Sequence, residues 1–179
     1  MSIFQLITSC FSEAFYSEEI LDPGNRYVLC VGSDTETWIE KIRELINDIN
    51  TISIIAPTEE KDEKEAIPDK PRKYHLLNMN LMKDEEKAKA LEIKNCVTMF
   101  FFNAKSADEN LTKLLFAILA DVKKFKIPLL VVLTDIEKRE SKKMIELFHK
   151  KFKSDIPEDL NWKLVTYHTL TDGIDWLKN

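Results

Sequence analysis

Glycine is scarce in this sequence. Only Gly24, Gly32 and Gly173 occur among 179 residues, whereas average usage of about 7% would give roughly 12. Loops that wrap backbone N–H groups around a phosphate depend on glycine for positive φ angles and for close approach of the backbone. The chain is therefore a poor candidate for a glycine-rich phosphate-binding loop.

The sequence also lacks the marks of several other classes of protein. With a net charge of −5 it has no basic footprint, so we expect no nucleic-acid partner. No apolar run approaches the roughly 18 residues of a membrane span, and the first residues lack the positive region of a signal peptide. Three cysteines without C-x-x-C spacing, Cys10, Cys30 and Cys96, are typical of reduced buried thiols. We therefore expect a cytoplasmic protein.

Apolar residues are abundant, and their spacing alternates between that of strands and that of helices. Hydrophobic residues make up 44% of the chain and charged residues 32%, as in an ordinary globular domain. The length favours a single domain over residues 1–179. Buried strands are predicted at 27–31, 52–56, 74–79, 96–102, 127–133 and 162–167. With helices between them, they predict an α/β fold whose mainly parallel sheet of about six strands has helices on both faces.

Two segments stand outside this alternation. Residues 1–16 predict an amphipathic helix, with an apolar stripe that contains Ile3, Phe4, Ile7, Phe11 and Phe15. This helix would dock on the protein itself, on a protein partner or on a membrane surface. The sequence before Arg26 contains no Lys or Arg that could attract anionic lipid. Residues 57–72 predict a flexible acidic loop, because five acids outnumber two lysines between Glu59 and Glu65.

Four short segments occur in an order that a known family shares. They are the Phe-rich start, residues 31–34 (V-G-S-D), residues 102–108 (F-N-A-K-S-A-D), and the ending N-W at 161–162 with D-G-I-D-W-L at 172–177. The second resembles V-G-L-D, the third V-V-D-S-A-D with one extra residue, and the last N-W … G-L-D-W-L. Together they resemble the Arf family of small GTPases over nearly the full length. The resemblance implies the three-layer small-GTPase fold, preceded by an amphipathic helix.

The segment that would hold the phosphates departs from the family pattern. The Walker pattern G-x-x-x-x-G-K-[S/T] falls on residues 32–39, and Gly32 fits its first position, with Asp34 two residues later as in the family. In place of the second glycine, the lysine and the magnesium-binding hydroxyl, the chain has Thr37, Trp38 and Ile39. Trp38 would occupy volume that a phosphate needs, so we expect it to serve packing and not chemistry.

The other two nucleotide-contacting segments depart from the pattern in the same way. The W-D-x-G-G-Q segment falls near residues 77–82, where the carboxylate, a glycine and the glutamine are replaced by Asn78, Asn80 and Met82. The guanine-reading N-K-x-D segment falls on residues 134–137, where the chain has Thr134, Asp135 and Glu137. Base recognition and phosphate binding would thus be lost together.

These changes predict a catalytically inactive, Arf-like pseudo-GTPase. We expect no GTPase activity and no bound GTP, GDP or Mg²⁺, and a role as a protein-binding or scaffold module in membrane trafficking, with residues 1–16 docked on the domain, on a partner or on a membrane. One alternative is an atypical Arf-like protein that retains GTP affinity. The other is an unrelated α/β enzyme that uses acids near Gly32, namely Asp34, Glu36 and Asp135.

Other candidate residues favour structural roles. His75, His149 and His168 have no His or Cys partner at metal-ligand spacing, so we expect no metal site. Cys30, in a predicted central strand, is typical of an inert core thiol. A cluster of lysines stands out in this acidic chain. It would bind an acidic partner, bind lipid headgroups, or simply form a solvated helix face. It consists of Lys123, Lys124, Lys126, Lys142, Lys143, Lys150, Lys151 and Lys153.

Overall fold

The computed structural model describes residues 26–52, 74–93, 96–106 and 108–178. Five strands alternate with five helices in this part of the chain. The strands are β1 (Arg26–Gly32), β2 (Tyr74–Asn78), β3 (Cys96–Asn103), β4 (Leu129–Thr134) and β5 (Trp162–Thr166). The helices are α1 (Thr35–Ile52), α2 (Asp84–Leu91), α3 (Glu109–Phe125), α4 (Ser141–Phe152) and α5 (Leu170–Lys178). Short 3₁₀ helices cover Met79–Leu81, Lys138–Glu140 and Tyr167–Thr169.

The five strands form one sheet in the order β2-β1-β3-β4-β5, and every neighbouring pair is parallel. Every residue of β3 and of β4 is buried, because helices cover both faces of a parallel sheet. The chain passes from β1 to β2 on one side and then crosses to β3 on the other. The order therefore reverses beside β1, which is the point in such sheets where ligands bind beyond the carboxyl ends of the strands.

Two apolar clusters fill the spaces between the sheet and its two layers of helices. On one face, α1 and α5 pack against alternate residues of the central strands, and the cluster includes Trp38, Ile42, Ile174 and Leu177. On the other face, α2, α3 and α4 contribute side chains that include Leu91, Leu115, Phe148 and Phe152. Each such side chain, when fully buried, stabilises the fold by about 1.5–3 kcal/mol relative to exposure. The predicted α/β class with helices on both faces is confirmed.

Two sequence predictions of local structure differ from what is observed. Residues 52–56 were predicted as a strand, but Ile52 is the last residue of α1, and residues 53–56 lie outside the described residues. The described sheet accordingly has five strands. The sequence S-A-D-E at residues 106–109 also predicts a capping box with Ser106 as the N-cap, but α3 begins at Glu109 and its N-cap is Asp108. The Asp108 carboxylate accepts the N–H of Leu111 at 2.7 Å.

The predictions for the two unusual segments are not addressed by the described residues. The amphipathic helix at 1–16 and the acidic loop at 57–72 both lie outside them. Within the described part of the chain, no helix combines the length and the apolar character needed to cross a membrane.

Candidate functional site

The predicted site residues gather at the carboxyl edge of the sheet, beside the point where the strand order reverses. Strands β1 to β4 end at Gly32, Asn78, Asn103 and Thr134. Among the residues predicted from the sequence, the buried ones are Trp38, Ile39, Asn78, Met82 and Thr134, and the exposed ones are Asp34, Thr37, Asn80, Asp135 and Glu137. The apolar stripe predicted for the first 16 residues lies outside the described chain.

Gly32 is required by the packing of two strands. Its φ angle is +115°, a conformation that residues with a side chain rarely adopt. A Cβ atom built on Gly32 would lie 2.2 Å from the carbonyl oxygen of Phe101 in β3. The same oxygen accepts the N–H of Ser33 at 2.9 Å. Close approach of the backbone of β3 is therefore enough to explain this glycine, without a phosphate.

The connection after β1 is short. Only Ser33 and Asp34 separate Gly32 from the start of α1 at Thr35. Asp34 lies in the left-handed region, with φ of 50°, and its carbonyl oxygen accepts the N–H of Trp38 at 3.2 Å. In a phosphate loop, four residues separate the two glycines and the backbone between them curls around the ligand. Here the corresponding residues from 35 onward are already helical.

The side chain of Asn80 connects the end of β1 to the start of α1. Its Nδ2 donates to the carbonyl oxygen of Gly32 at 2.7 Å and to Thr35 Oγ1 at 2.9 Å. Its Oδ1 accepts the N–H of Gly32 at 3.4 Å. The Thr35 hydroxyl in turn donates to the Gly32 carbonyl oxygen at 3.0 Å. We refer to these four contacts as the Asn80 bridge.

The residues on either side of Asn80 support this arrangement. Asn78 is buried, and its Oδ1 accepts the N–H of Asn80 at 3.1 Å, which caps the short 3₁₀ helix. Met82 is 9% exposed and belongs to the core on the side of α2 and α3. Leu81 between them is 63% exposed. The side chains at 78, 80 and 82 thus all have structural contacts within the chain.

Trp38 is a packing residue, as predicted. It is 6% exposed and its ring stacks on Phe101 with a centroid distance of 6.0 Å. Tyr167, at the start of the 3₁₀ helix after β5, lies at 5.5 Å in a tilted contact. The ammonium group of Lys41 lies 4.1 Å from the Trp38 centroid, a cation–π contact that covers the outer side of the ring.

A second polar connection joins the ends of β3 and β4. Asn103 Nδ2 donates to a carboxylate oxygen of Asp135, and Asn103 Oδ1 accepts the N–H groups of Lys105 and Ser106 at 3.0 Å each. Asp135 lies in the left-handed region, with φ of 54°. Asn103 and Thr35 were not among the site residues predicted from the sequence. Asn103 ends a buried strand, and an Asn in that position often accepts the N–H groups two and three residues later. This pattern could have identified Asn103 from the sequence.

The side chains at 134 and 137 lie in different environments. Thr134 is fully buried at the end of β4. Glu137 is exposed and pairs with the Arg139 guanidinium at 2.7 Å. Between them, the carbonyl oxygen of Ile136 lies 2.9 Å from His168 Nε2. The segment is thus fixed by contacts within the chain.

At this edge the described residues show neither a metal-ligand cluster nor an accessible thiol. No set of three or more His, Cys, Asp or Glu in the described part of the chain could hold a metal ion. Complete burial of the Cys30 thiol raises its pKa to about 12, so the thiol stays protonated and unreactive at neutral pH.

An open groove of about 470 Å³ runs between α1 and β2, where Arg43 pairs with Glu40 at 2.6 Å.

No protein-family model, no curated protein and no solved structure matches this chain. The described residues establish an α/β fold with a parallel five-stranded sheet. A narrower family assignment depends on the four sequence segments alone.

Proposed function

We propose that the chain is a catalytically inactive, Arf-like pseudo-GTPase that acts as a protein-binding or scaffold module in membrane trafficking. In this proposal the described sheet is the parallel part of a small-GTPase fold, with a sixth strand and an N-terminal amphipathic helix outside the described residues. The proposal is supported by the strand order around β1, by the glycine at its carboxyl end, and by the order of the four segments that resemble the family.

The Asn80 bridge is the observation that carries the proposed loss of nucleotide binding. A phosphate site at a strand–helix junction needs free N–H donors and usually a lysine. Here the N–H of Gly32 donates to Asn80 Oδ1 at 3.4 Å, and the Thr35 hydroxyl donates to the carbonyl oxygen of Gly32. A phosphate would have to break this bridge and would then meet the exposed carboxylate of Glu36 in the first turn of α1.

The proposed loss of guanine recognition has a similar basis. The carboxylate of Asp135 accepts a hydrogen bond from Asn103, and that of Glu137 pairs with Arg139. A guanine ring is recognised by carboxylate and amide groups that are free to form hydrogen bonds with the base. We therefore propose that GTP, GDP and Mg²⁺ are not cofactors of this chain, and that its surface works without a nucleotide switch.

The proposed partners are proteins, with peripheral membrane contact through residues 1–16 and a location in the cytoplasm. Since no bound nucleotide would change the conformation of the core, partner binding would depend on surfaces that are always present. The proposal includes no nucleic-acid partner, in keeping with a net charge of −5.

The nucleotide content of the purified chain tests this proposal. The protein is denatured, and the supernatant is analysed for GDP and GTP by ion-exchange chromatography, with an Arf-family GTPase purified in parallel. We expect nucleotide in stoichiometric amount only from the GTPase, and no saturable binding of a fluorescent GTP analogue to this chain. Stoichiometric GDP or GTP from the chain itself would contradict the proposal and favour the atypical GTP-binding alternative.

The variant Trp38→Lys separates a packing role from a lost catalytic role. It restores the Walker lysine but places an ammonium group where the ring is 6% exposed and stacked on Phe101. We expect the variant to be less stable by about 3 kcal/mol or more and to gain no affinity for the GTP analogue. Trp38→Phe, which keeps an aromatic ring, serves as its control and should lose less stability. A gain of GTP-analogue binding by Trp38→Lys would show that the site needs only its lysine.

A further inference from the structure

Helices α3 and α4 leave two large apolar side chains in solvent. Phe116 of α3 is 40% exposed and Leu147 of α4 is 46% exposed. Both helices already bury a full apolar stripe against the sheet, which includes Leu115, Ile118, Phe148 and Phe152. The exposed pair is therefore additional to the core and has no role in covering the sheet.

Phe152 and Lys151 of α4 connect the two exposed side chains. The rings of Phe116 and Phe152 meet edge to face, with centroids 6.2 Å apart. The ammonium group of Lys151 lies 4.9 Å from the Phe152 ring centroid. Leu147 precedes Lys151 by four residues, which places the two side chains next to each other on α4.

This surface is basic, although the chain as a whole is acidic. Lys143 and Lys150 lie four residues before and three residues after Leu147, so all three share the outer face of α4. Among the described residues, no carboxylate forms an ion pair with Lys143, Lys150 or Lys151, whereas Lys113 of α3 is neutralised by Glu109 at 2.8 Å. We name Phe116, Leu147, Lys143, Lys150 and Lys151 the α3–α4 surface.

We propose that the α3–α4 surface binds an acidic amphipathic helix of a partner protein. The partner's apolar residues pack on Phe116 and Leu147, and its Glu or Asp residues pair with the lysines of α4, as where other amphipathic helices bind an apolar surface. The 12 residues of α4 extend over about 18 Å, so a partner helix of three to four turns matches their length. This inference rests on the proposed role as a binding module, and not on the loss of nucleotide.

An acidic helix fits this surface better than an anionic membrane does. The Phe116 ring packs edge to face on Phe152 and is only 40% exposed, which leaves less of it to insert into a membrane. The net charge of −5 acts against a membrane surface as a whole, whereas a helix meets only the lysines near the apolar pair.

A selection experiment with the full chain tests the proposal. The library displays 18-residue helical peptides with fixed leucines at i, i+3, i+4 and i+7, and with Glu, Lys, Gln or Ser at each flanking position. We expect the flanking positions of bound peptides to become enriched in Glu. Binding of an enriched peptide should weaken about tenfold or more in Leu147→Ser and in the double variant Lys150→Glu/Lys151→Glu. The double variant should regain affinity for the same peptide with Lys at its Glu positions.

Matched variants elsewhere on the chain are the controls. Leu81→Ser changes an equally apolar and more exposed side chain, at 63%, and Lys105→Glu reverses the charge of an exposed lysine after β3. Both should bind the enriched peptide as the wild type does. Peptides without an acidic preference, or peptides whose binding ignores the α3–α4 variants, would overturn the proposal.

Three other occupants of the surface are outcomes of the same test. With a photoreactive leucine at position 147 of the full chain, a cross-link to residues 1–25 of the same chain, or to a second copy, would overturn the proposal. The proposal would also be overturned if the chain sedimented with phosphatidylserine vesicles, if the lysine reversals abolished this sedimentation, and if the peptide did not inhibit it. None of these results bears on nucleotide content, so the two proposals can fail separately.

Discussion

Gly32 lies where the backbones of β1 and β3 approach so closely that a methyl group has no room. Its φ of +115° and the 2.2 Å between a built Cβ and the Phe101 carbonyl oxygen are two independent restrictions. The residue therefore has a strong structural reason to be glycine in a chain that has only three. A glycine at a strand–helix junction can thus mark backbone packing as readily as a phosphate.

Gly32→Ala is expected to lower the free energy of unfolding by roughly 3 kcal/mol or more. The substitution combines a strained φ angle with a backbone clash that only strand movement can relieve. Urea unfolding followed by circular dichroism measures the change.

Gly173→Ala is the matched control for this measurement. A Cβ at Gly173 would meet methyl groups of Leu130 at 3.0 and 3.2 Å and one of Val165 at 3.2 Å, so it would contact side chains and not backbone. Alanine also favours the helical state of α5 by about 1 kcal/mol. We expect a change within about 1 kcal/mol; equal destabilisation by both substitutions would refute the special role of Gly32.

At the scale of elements, the Asn80 bridge ties together β1, α1 and the 3₁₀ helix that follows β2. Its partners Gly32 and Thr35 are 48 and 45 residues away in sequence. The bridge fixes where α1 starts relative to the end of β1. Trp38 lies in the first turn of that helix, so the bridge also orients the ring that packs on Phe101 and Tyr167.

Asn80→Ala is expected to loosen this junction without unfolding the chain. The side chain is exposed and makes hydrogen bonds to Gly32 and Thr35, so its removal should destabilise the protein by about 1–2 kcal/mol. Amide hydrogen exchange should rise in residues 32–36 and 79–82 and stay unchanged in β4.

Leu81→Ala is the control for Asn80→Ala. It shortens the neighbouring side chain of the same 3₁₀ helix, which is 63% exposed and takes no part in the bridge. Exchange at 32–36 should match that of the wild type. If both variants gave the same exchange pattern, the bridge would not be what holds the junction.

At the scale of the whole molecule, the central strands are covered on both faces, and this burial raises the pKa values of their two cysteine thiols. Burial raises the pKa of the Cys30 thiol from its ordinary 9.0 to about 12, and that of Cys96 from 9.0 to about 11. Both thiols belong to central strands of the sheet. Their protonation state therefore depends on whether the entire sheet is folded.

Folding stability should fall as the pH rises above about 9. The unfolded chain then loses thiol protons that the folded chain retains, so the native state binds more protons and stability decreases with pH. Below pH 9 both states keep these protons and the contribution is fully present. Each thiol adds a slope of at most about 1.4 kcal/mol per pH unit.

Urea unfolding of the wild type and of Cys30→Ala at pH 8, 9, 10 and 11 isolates this contribution. The variant loses some packing at every pH, but its slope above pH 9 should be smaller than that of the wild type. Parallel slopes for the two proteins would show that the Cys30 thiol ionises equally well in the folded state.

The elements that sequence patterns predicted best are those with the strongest apolar signal. Strand β3 was predicted at 96–102 and is observed at Cys96–Asn103, because an uninterrupted apolar run in an α/β chain must lie between two helical layers. The N-cap of α3 was placed at Ser106 and is Asp108. Both residues suit a cap, so the pattern alone could not choose the turn at which the helix begins.

The sequence by itself determined the α/β class, the layers and the departure of residues 32–39 from the Walker pattern, since apolar spacing and residue identity are local properties. Only the tertiary structure decided what the residues at these positions do. That Asn80 reaches Gly32 and Thr35, that Phe101 leaves no room beside Gly32, and that Trp38 is stacked and covered all depend on strands distant in sequence becoming neighbours. Such contacts arise from the packing of the whole sheet, and no spacing pattern along the chain encodes them individually.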